Sequence, residues 1–165
     1  MNIKLPLMYF LLVFECPPEW KKLDLYLFRD EKTVFYVGQS YCAHTRVWEH
    51  LLSGFKGHSI MGRFIWCNYP SSMRFTVELM SSQNENFADC GHNLDEAEAL
   101  LIRKYNPVFN VTLNDAPQQV TVGYNPVNAP LTCPRSLSRI LHEVERIVKV
   151  EDEREWKKNL DDYPR

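Results

Sequence analysis

Two short apolar segments joined by a polar turn lie within residues 23–39, LDLYLFRDEKTVFYVGQ. The segments 23–28 and 33–37 are rich in the aromatic and branched side chains that strands favour. The charged residues 29–32 separate them, and a connection of this length suits a hairpin. The sequence therefore predicts two adjacent antiparallel strands, with Gly38 at the end of the second.

Helical and strand patterns follow the hairpin. An apolar stripe predicts a helix over 41–52, which we expect the segment 53–57 to end because it contains two glycines. A second, short helix is expected over 58–66. Residues 73–80 alternate apolar and polar side chains, which is typical of a half-buried strand. This strand is the third of the predicted sheet.

A capping signal marks the next helix. Asn93 and Glu96 resemble a capping box that opens a helix over 94–105, and Pro107 ends it. The predicted fold class is therefore α+β: a small three-stranded antiparallel sheet flanked by helices, with an added C-terminal helix.

The chain length suits one domain with additions at both ends. We expect residues 1–22 to form an N-terminal segment that packs on the core, and 23–110 to form the main domain. Residues 111–134 are a loop rich in Pro and Asn, and 135–165 form a C-terminal helix and a charged tail.

An apolar run near the N-terminus superficially resembles a secretory signal. Pro6 interrupts this run, 5–14, Glu15 follows it, and no small-residue cleavage site appears. The run is also too short to span a membrane. We therefore expect a buried strand or helix and no membrane partner; the less favoured alternative is a membrane-associated or secreted protein.

The charge balance gives no global attraction to nucleic acid, because 19 basic residues face 21 acidic ones, for a formal net charge of −2. A local basic patch is visible within residues 40–74, although a mixed solvated surface is the alternative reading. The patch contains four basic residues and one acidic residue: Arg46, Lys56, Arg63, Arg74 and Glu49.

The five cysteines are widely spaced and include no C-x-x-C pair. This pattern argues against both a disulfide framework and a zinc site. It predicts a reducing, cytoplasmic location.

Several polar residues occupy positions where chemistry could take place. Arg46 and His50 are four residues apart on one side of their helix, and Glu98 lies among apolar neighbours on the helix 94–105. Each group also has a structural alternative. Arg46 and His50 could lie on a solvated helix face, and Glu98 could pair with an arginine. Tyr26 and Tyr36, on neighbouring strands, could simply pack against each other. In the functional interpretation, Glu98 binds a hard divalent cation.

Taken in order, these residues resemble the GIY-YIG endonuclease family. The first family signature is similar to Asp24-Leu25-Tyr26, and the second to Tyr36-Val37-Gly38. The resemblance spans residues 23–110. The family's catalytic arginine, the histidine of several of its branches, its metal-binding glutamate and its final asparagine match Arg46, His50, Glu98 and Asn110.

The resemblance implies a metal-dependent DNA endonuclease with one Mg²⁺ or Mn²⁺ ion per active site held by Glu98. Because no zinc finger, helix-turn-helix or long basic tail is recognisable, we favour a restriction-like or mobile-element type, associated with the nucleoid if the host is bacterial. Arg46 would bind the non-bridging phosphate oxygens, and Tyr26, aided by His50, would act as general base. Tyr36 would orient the water or the phosphate, with exchange of roles between the tyrosines left open. A supporting set would bind phosphate or DNA or stabilise the structure: Asn110, Gly38, Lys56 and Arg63. The alternative is a catalytically silent nucleic-acid-binding module on the same scaffold.

Two further expectations concern substrate fit and assembly. Asp24 stands where the family usually has glycine; because that glycine serves backbone geometry, we expect activity to survive. Apolar residues from Leu137 to Val148 repeat at helical spacing, so this helix either joins two copies in a homodimer or packs on its own domain.

Overall fold

The computed structural model describes residues 2–120 and 123–161, and its sheet has four antiparallel strands. These are β1 (Asn2–Pro6), β2 (Leu25–Arg29), β3 (Val34–Gln39) and β4 (Thr76–Met80), in the spatial order β1-β4-β2-β3. The α+β class is confirmed, and the prediction of three strands is wrong.

The additional strand, β1, comes from the N-terminal segment. It pairs with β4 from Asn2 opposite Met80 to Pro6 opposite Thr76. Its local signal is weak because it is short and lies at the sheet edge, where its polar side chains remain partly exposed. The pairing also joins residues 70 or more positions apart, which no local pattern reveals.

Five α-helices surround the sheet in the described ranges: α1 (Leu7–Phe10), α2 (Ala43–Phe55), α3 (Ile60–Cys67), α4 (Leu94–Tyr105) and α5 (Leu137–Asp161). Short 3₁₀ helices form at Pro18–Trp20, Ser71–Arg74 and Glu85–Cys90. In this part of the chain no helix is both long enough and apolar enough to cross a membrane.

Helix α4 has the bounds that the sequence predicts. The Asn93 side chain accepts a hydrogen bond from the Glu96 backbone N–H at 3.1 Å, which satisfies one of the free donors of the first turn. Asn106 adopts a left-handed conformation immediately after the last turn, before Pro107.

Helix α2 continues through Gly54, where the sequence predicts its end. A Cβ atom on Gly54 would collide with the backbone of Gly62 in α3, and one on Gly62 would collide with the His50 carbonyl oxygen. The two glycines therefore allow the backbones of α2 and α3 to approach closely, and Gly54 is a packing residue.

The two faces of the sheet bury different sets of side chains because successive residues of a strand point to opposite faces. Tyr26 and Phe28 face the larger core, which includes residues of α1, α2, α3 and α5. Leu25 and Leu27 face a smaller core that α4 covers with Leu101 and its apolar neighbours.

The C-terminal region packs back on the domain. The described parts of the loop, 111–120 and 123–134, contain no regular helix or strand. Helix α5 extends well into the charged region that the sequence predicts to be a tail, and residues 162–165 lie outside the described part. Arg74 pairs with Glu151, and the Tyr9 hydroxyl donates to Asp152 at 3.0 Å. These contacts attach the charged half of α5 to the core.

Candidate active site

A cleft of about 310 Å³ brings together three of the residues that the family resemblance selects. Tyr36 comes from β3, and Arg46 and His50 come from successive turns of α2. All three side chains line the cleft, with Glu49 and Ser59 beside them. A hydroxyl, a guanidinium and an imidazole therefore face one concave surface large enough for a phosphate group.

Tyr26 lies beneath this surface and is only 1% exposed. Its hydroxyl is 2.8 Å from His50 Nε2, and its ring centroid is 6.1 Å from that of Tyr36. In the sheet register Tyr26 pairs with Gly38, and a Cβ atom on Gly38 would collide with the Tyr26 ring. The glycine of the second motif is thus what lets the tyrosine of the first motif reach α2.

The environment of Tyr26 favours the neutral phenol. Burial raises its pKa well above 10, and Tyr36 raises it further, although the nearby Arg46 guanidinium opposes both effects. Without an added cation, Tyr26 does not ionise at neutral pH. His50 is its hydrogen-bond partner.

His50 is held from both sides. Its Nδ1 is 2.8 Å from the Ser59 hydroxyl oxygen, which also accepts the Gly62 N–H at 3.0 Å and so caps α3. Burial lowers the pKa of His50 to about 4, and the positive charge of Arg46 contributes. At neutral pH the imidazole is uncharged, so Nε2 can accept a hydrogen bond from the Tyr26 hydroxyl in the appropriate tautomer.

Ser59 is the functional neighbour that sequence reasoning missed. The available signal was its position: a serine directly before a helix is a common N-cap. A cap signal predicts the hydrogen bond to Gly62 but carries no information about His50, which approaches from another helix.

Arg46 is tied to one neighbour but remains partly open to solvent. Its Nη1 donates to Glu49 Oε2 at 2.6 Å, and this contact, with a contribution from Tyr26, raises its pKa. The guanidinium has five N–H donors in all, so it can still bind an anion in the cleft. Glu49 would compete with that anion for the Arg46 guanidinium.

Glu98 does not line the cleft but lies on α4 and contacts Gln39, the last residue of β3. Its Oε2 accepts from Gln39 Nε2 at 2.5 Å, and the same amide nitrogen donates to Asp95 Oδ1 at 2.7 Å. Burial raises the pKa of Glu98; the Gln39 hydrogen bond opposes this, and the charge of Asp95 adds to it. Burial also raises the pKa of Tyr36, and the charge of Glu98 contributes. Tyr36 therefore connects the carboxylate side of the site with the cleft.

This carboxylate group suits a hard divalent cation. In the described ranges, no three His, Cys, Asp or Glu side chains converge on one point. Mg²⁺ needs only one or two protein carboxylates when water and substrate oxygens complete its shell. Burial and the charge of Asp95 raise the pKa of Glu98, and a bound cation would offset both effects.

Asn110 has a structural role in this geometry. Its Oδ1 accepts from the Val37 N–H and its Nδ2 donates to the Val37 carbonyl, both at 2.9 Å. The buried side chain thereby satisfies both backbone groups of a residue next to Tyr36 and fixes the position of β3.

Asp24, at the position where the family that the sequence resembles usually has glycine, has a local structural role. One carboxylate oxygen accepts from the Ser82 N–H and the other from the Ser82 hydroxyl, each at 2.7 Å. The side chain thus binds the residues after β4 and is turned away from the phosphate-sized cleft.

The basic patch of the sequence is dispersed by the fold. Of its members, Arg46 lines the cleft, whereas the Arg63 guanidinium donates to the carbonyl oxygens of Val127 at 2.6 Å and Ala129 at 3.2 Å. Arg74 pairs with Glu151, and Lys56 is an exposed residue at the end of α2. Arg63 therefore fastens the loop 111–134 to α3.

The fold and the convergence of Tyr36, Arg46 and His50 are features of this chain itself. Comparisons with family models, curated proteins and solved structures find no match.

Proposed function

We propose that this protein is a metal-dependent DNA endonuclease of the GIY-YIG type that hydrolyses phosphodiester bonds. The observation that carries the proposal is the cleft that Tyr36, Arg46 and His50 share, with Tyr26 bound to His50 at its base. A restriction-like or mobile-element role is the biological setting that we favour, with DNA as the partner.

Arg46 is the anion-binding group in this mechanism. Its planar guanidinium donates charge-assisted hydrogen bonds to the non-bridging oxygens of the phosphate, which gain negative charge in the transition state. Binding of the phosphate replaces part of the contact with Glu49, so the ion pair at 2.6 Å keeps Arg46 in place until substrate enters.

The two tyrosines divide the task of activating water. Tyr36 is partly exposed and lines the cleft, so it is the tyrosine that can touch the attacking water or the phosphate. Tyr26 is buried and acts through its neighbours, since its hydroxyl is hydrogen-bonded to the neutral His50 Nε2. We therefore assign direct contact to Tyr36 and a positioning role to Tyr26 and His50.

Glu98 is the residue that would hold the divalent ion, with Gln39 and Asp95 orienting its carboxylate. When bound, Mg²⁺ or Mn²⁺ supplies Lewis-acid stabilisation of the phosphate and of the leaving oxygen. Glu98 also fixes the electrostatic environment of Tyr36, because its charge raises the pKa of that phenol.

The test is cleavage of supercoiled, linear, branched and single-stranded DNA by the purified full chain, with Mg²⁺ and with a chelator. We expect cleavage that requires the metal and falls by about 100-fold or more in Glu98→Gln. Glu96→Gln is the matched control, because Glu96 is exposed on the same helix.

Two results would count against this proposal. Full metal-dependent cleavage by Glu98→Gln would remove the metal-binding role of Glu98. Failure to cut any of the four substrates, with tight DNA binding retained, would instead support the catalytically silent binding module.

A further inference from the structure

Two cysteines that are distant in sequence meet beside the candidate active site. Cys16 Sγ and Cys42 Sγ are 3.8 Å apart, although 26 positions separate them in the chain. Cys16 follows α1 in the N-terminal segment, and Cys42 is the residue directly before the first turn of α2. Both side chains are partly exposed, so a small oxidant can reach them.

The surroundings make the two thiols chemically unequal. The Thr45 hydroxyl donates to Cys42 Sγ at 3.3 Å, whereas the Cys16 thiol donates to the Pro17 carbonyl at 3.5 Å. Burial raises the pKa of the Cys42 thiol. Hydrogen bonds from Thr45 and His44 lower this pKa by more, so it lies below the ordinary value of a cysteine. Burial and the contact with Cys42 raise the pKa of Cys16 to about 11. Cys42 is therefore the readier thiolate of the pair.

We propose that Cys16 and Cys42 are a redox modification site, at which a peroxide closes a reversible disulfide between the N-terminal segment and α2. The Cys42 thiolate attacks one oxygen of hydrogen peroxide, releases hydroxide and becomes a sulfenic acid. Cys16 then attacks the Cys42 sulfur and the sulfenic oxygen leaves as water. In total two thiols and one peroxide give one disulfide and two waters.

The contact needs only a small movement to become a bond, because the sulfur atoms must close from 3.8 Å to about 2.0 Å. The resulting ring would enclose both Tyr26 and Tyr36 and would be anchored one turn before Arg46. Oxidation thus joins the N-terminal segment covalently to the helix of the candidate site. The proposal rests on the thiol geometry and does not require nuclease activity.

The test is oxidation of the reduced full chain with hydrogen peroxide, followed by alkylation, digestion without reductant and mass spectrometry. We expect a Cys16–Cys42 peptide pair that has lost two hydrogens and is restored by dithiothreitol. Cys42 should lose its reactivity towards the alkylating reagent at least about tenfold faster than Cys90, which is also partly exposed.

Variants separate the pair from general oxidation. Cys90→Ser should form the same cross-link as the wild type. In Cys16→Ser, Cys42 should stop at a sulfenic acid that dimedone traps. We expect oxidation to raise the thermal unfolding midpoint of the wild type but not that of Cys16→Ser. Equal oxidation of Cys42, Cys90 and Cys133, or a dominant disulfide between another pair, would overturn the proposal.

Discussion

Individual side chains in this protein combine structural and chemical tasks, and His50 is the clearest case. It contacts the Tyr26 hydroxyl through Nε2 and the Ser59 hydroxyl through Nδ1, both at 2.8 Å. Because it is buried beside Arg46, it stays neutral to a pH of about 4. The neutral imidazole can accept a hydrogen bond from Tyr26, and its lowered pKa also links folding to pH.

Stability should therefore fall as the pH drops from 7 to 5. In this window the unfolded chain protonates His50, with a pKa near 6.5, while the folded chain does not, so protons favour unfolding. From these pKa values we expect His50 to lower the unfolding free energy by about 2 kcal/mol at pH 5 relative to pH 7.

Denaturant unfolding at the two pH values measures this effect. The His50→Gln variant should lose that part of the pH dependence, and His58→Gln, which changes an exposed histidine, should keep it. A pH dependence identical in His50→Gln and the wild type would contradict the assignment.

At the scale of elements, the crossing of α2 and α3 positions the cleft. Arg46 and His50 lie on α2, and Ser59 is the cap of α3, so the close approach at Gly54 and Gly62 determines how these side chains meet. The crossing depends on backbone contact that only residues without a Cβ atom permit.

Replacing Gly62 with alanine should destabilise the fold by about 3 kcal/mol, because the added methyl collides with the His50 carbonyl and nothing flexible can yield. Gly57→Ala is the comparison, since a Cβ atom there meets open space. This variant should be destabilised only by the positive φ of residue 57, by about 1 kcal/mol. Chemical denaturation of both variants measures the difference. Equal losses would show that the helix crossing is not tightly packed.

At the scale of the whole molecule, α5 is an integral part of the core. Ile140, Val144 and Val148 are buried against the same cluster as α1, and they are the apolar positions that a homodimer through this helix would need. The face that suggests dimerisation in the sequence is thus occupied within the chain, which favours packing on its own domain.

We accordingly expect a light-scattering mass near 19.5 kDa, the mass of one chain.

Val144→Ala should lower the unfolding free energy by about 2 kcal/mol, since Val144 is fully buried. The matched change Val150→Ala, on an exposed residue of the same helix, should stay within about 0.5 kcal/mol. A dimer mass that Val144→Ala reduces to a monomer mass would restore the homodimer hypothesis.

Local patterns account for the features that the sequence predicts well. The hairpin around 29–32, the cap of α4 at Asn93 and most of the strand predicted at 73–80 depend on neighbours within a few residues, so composition and periodicity reveal them. The strand begins only at Thr76, because Ser71–Arg74 form a 3₁₀ helix. The ordered series Tyr26, Tyr36, Arg46 and His50 likewise stands on adjacent elements, which is why its spacing indicates one shared surface.

The remaining features arise from residues that meet only in three dimensions. The pairing of β1 with β4, the contact of Gly54 with Gly62, the hold of Asn110 on Val37 and the meeting of Cys16 with Cys42 all join distant positions. Each depends on how whole elements pack, and packing is a sum over contacts that no window of sequence contains. The sequence by itself therefore determines which residues are available for chemistry, whereas their exposure, protonation and partners follow from the tertiary structure.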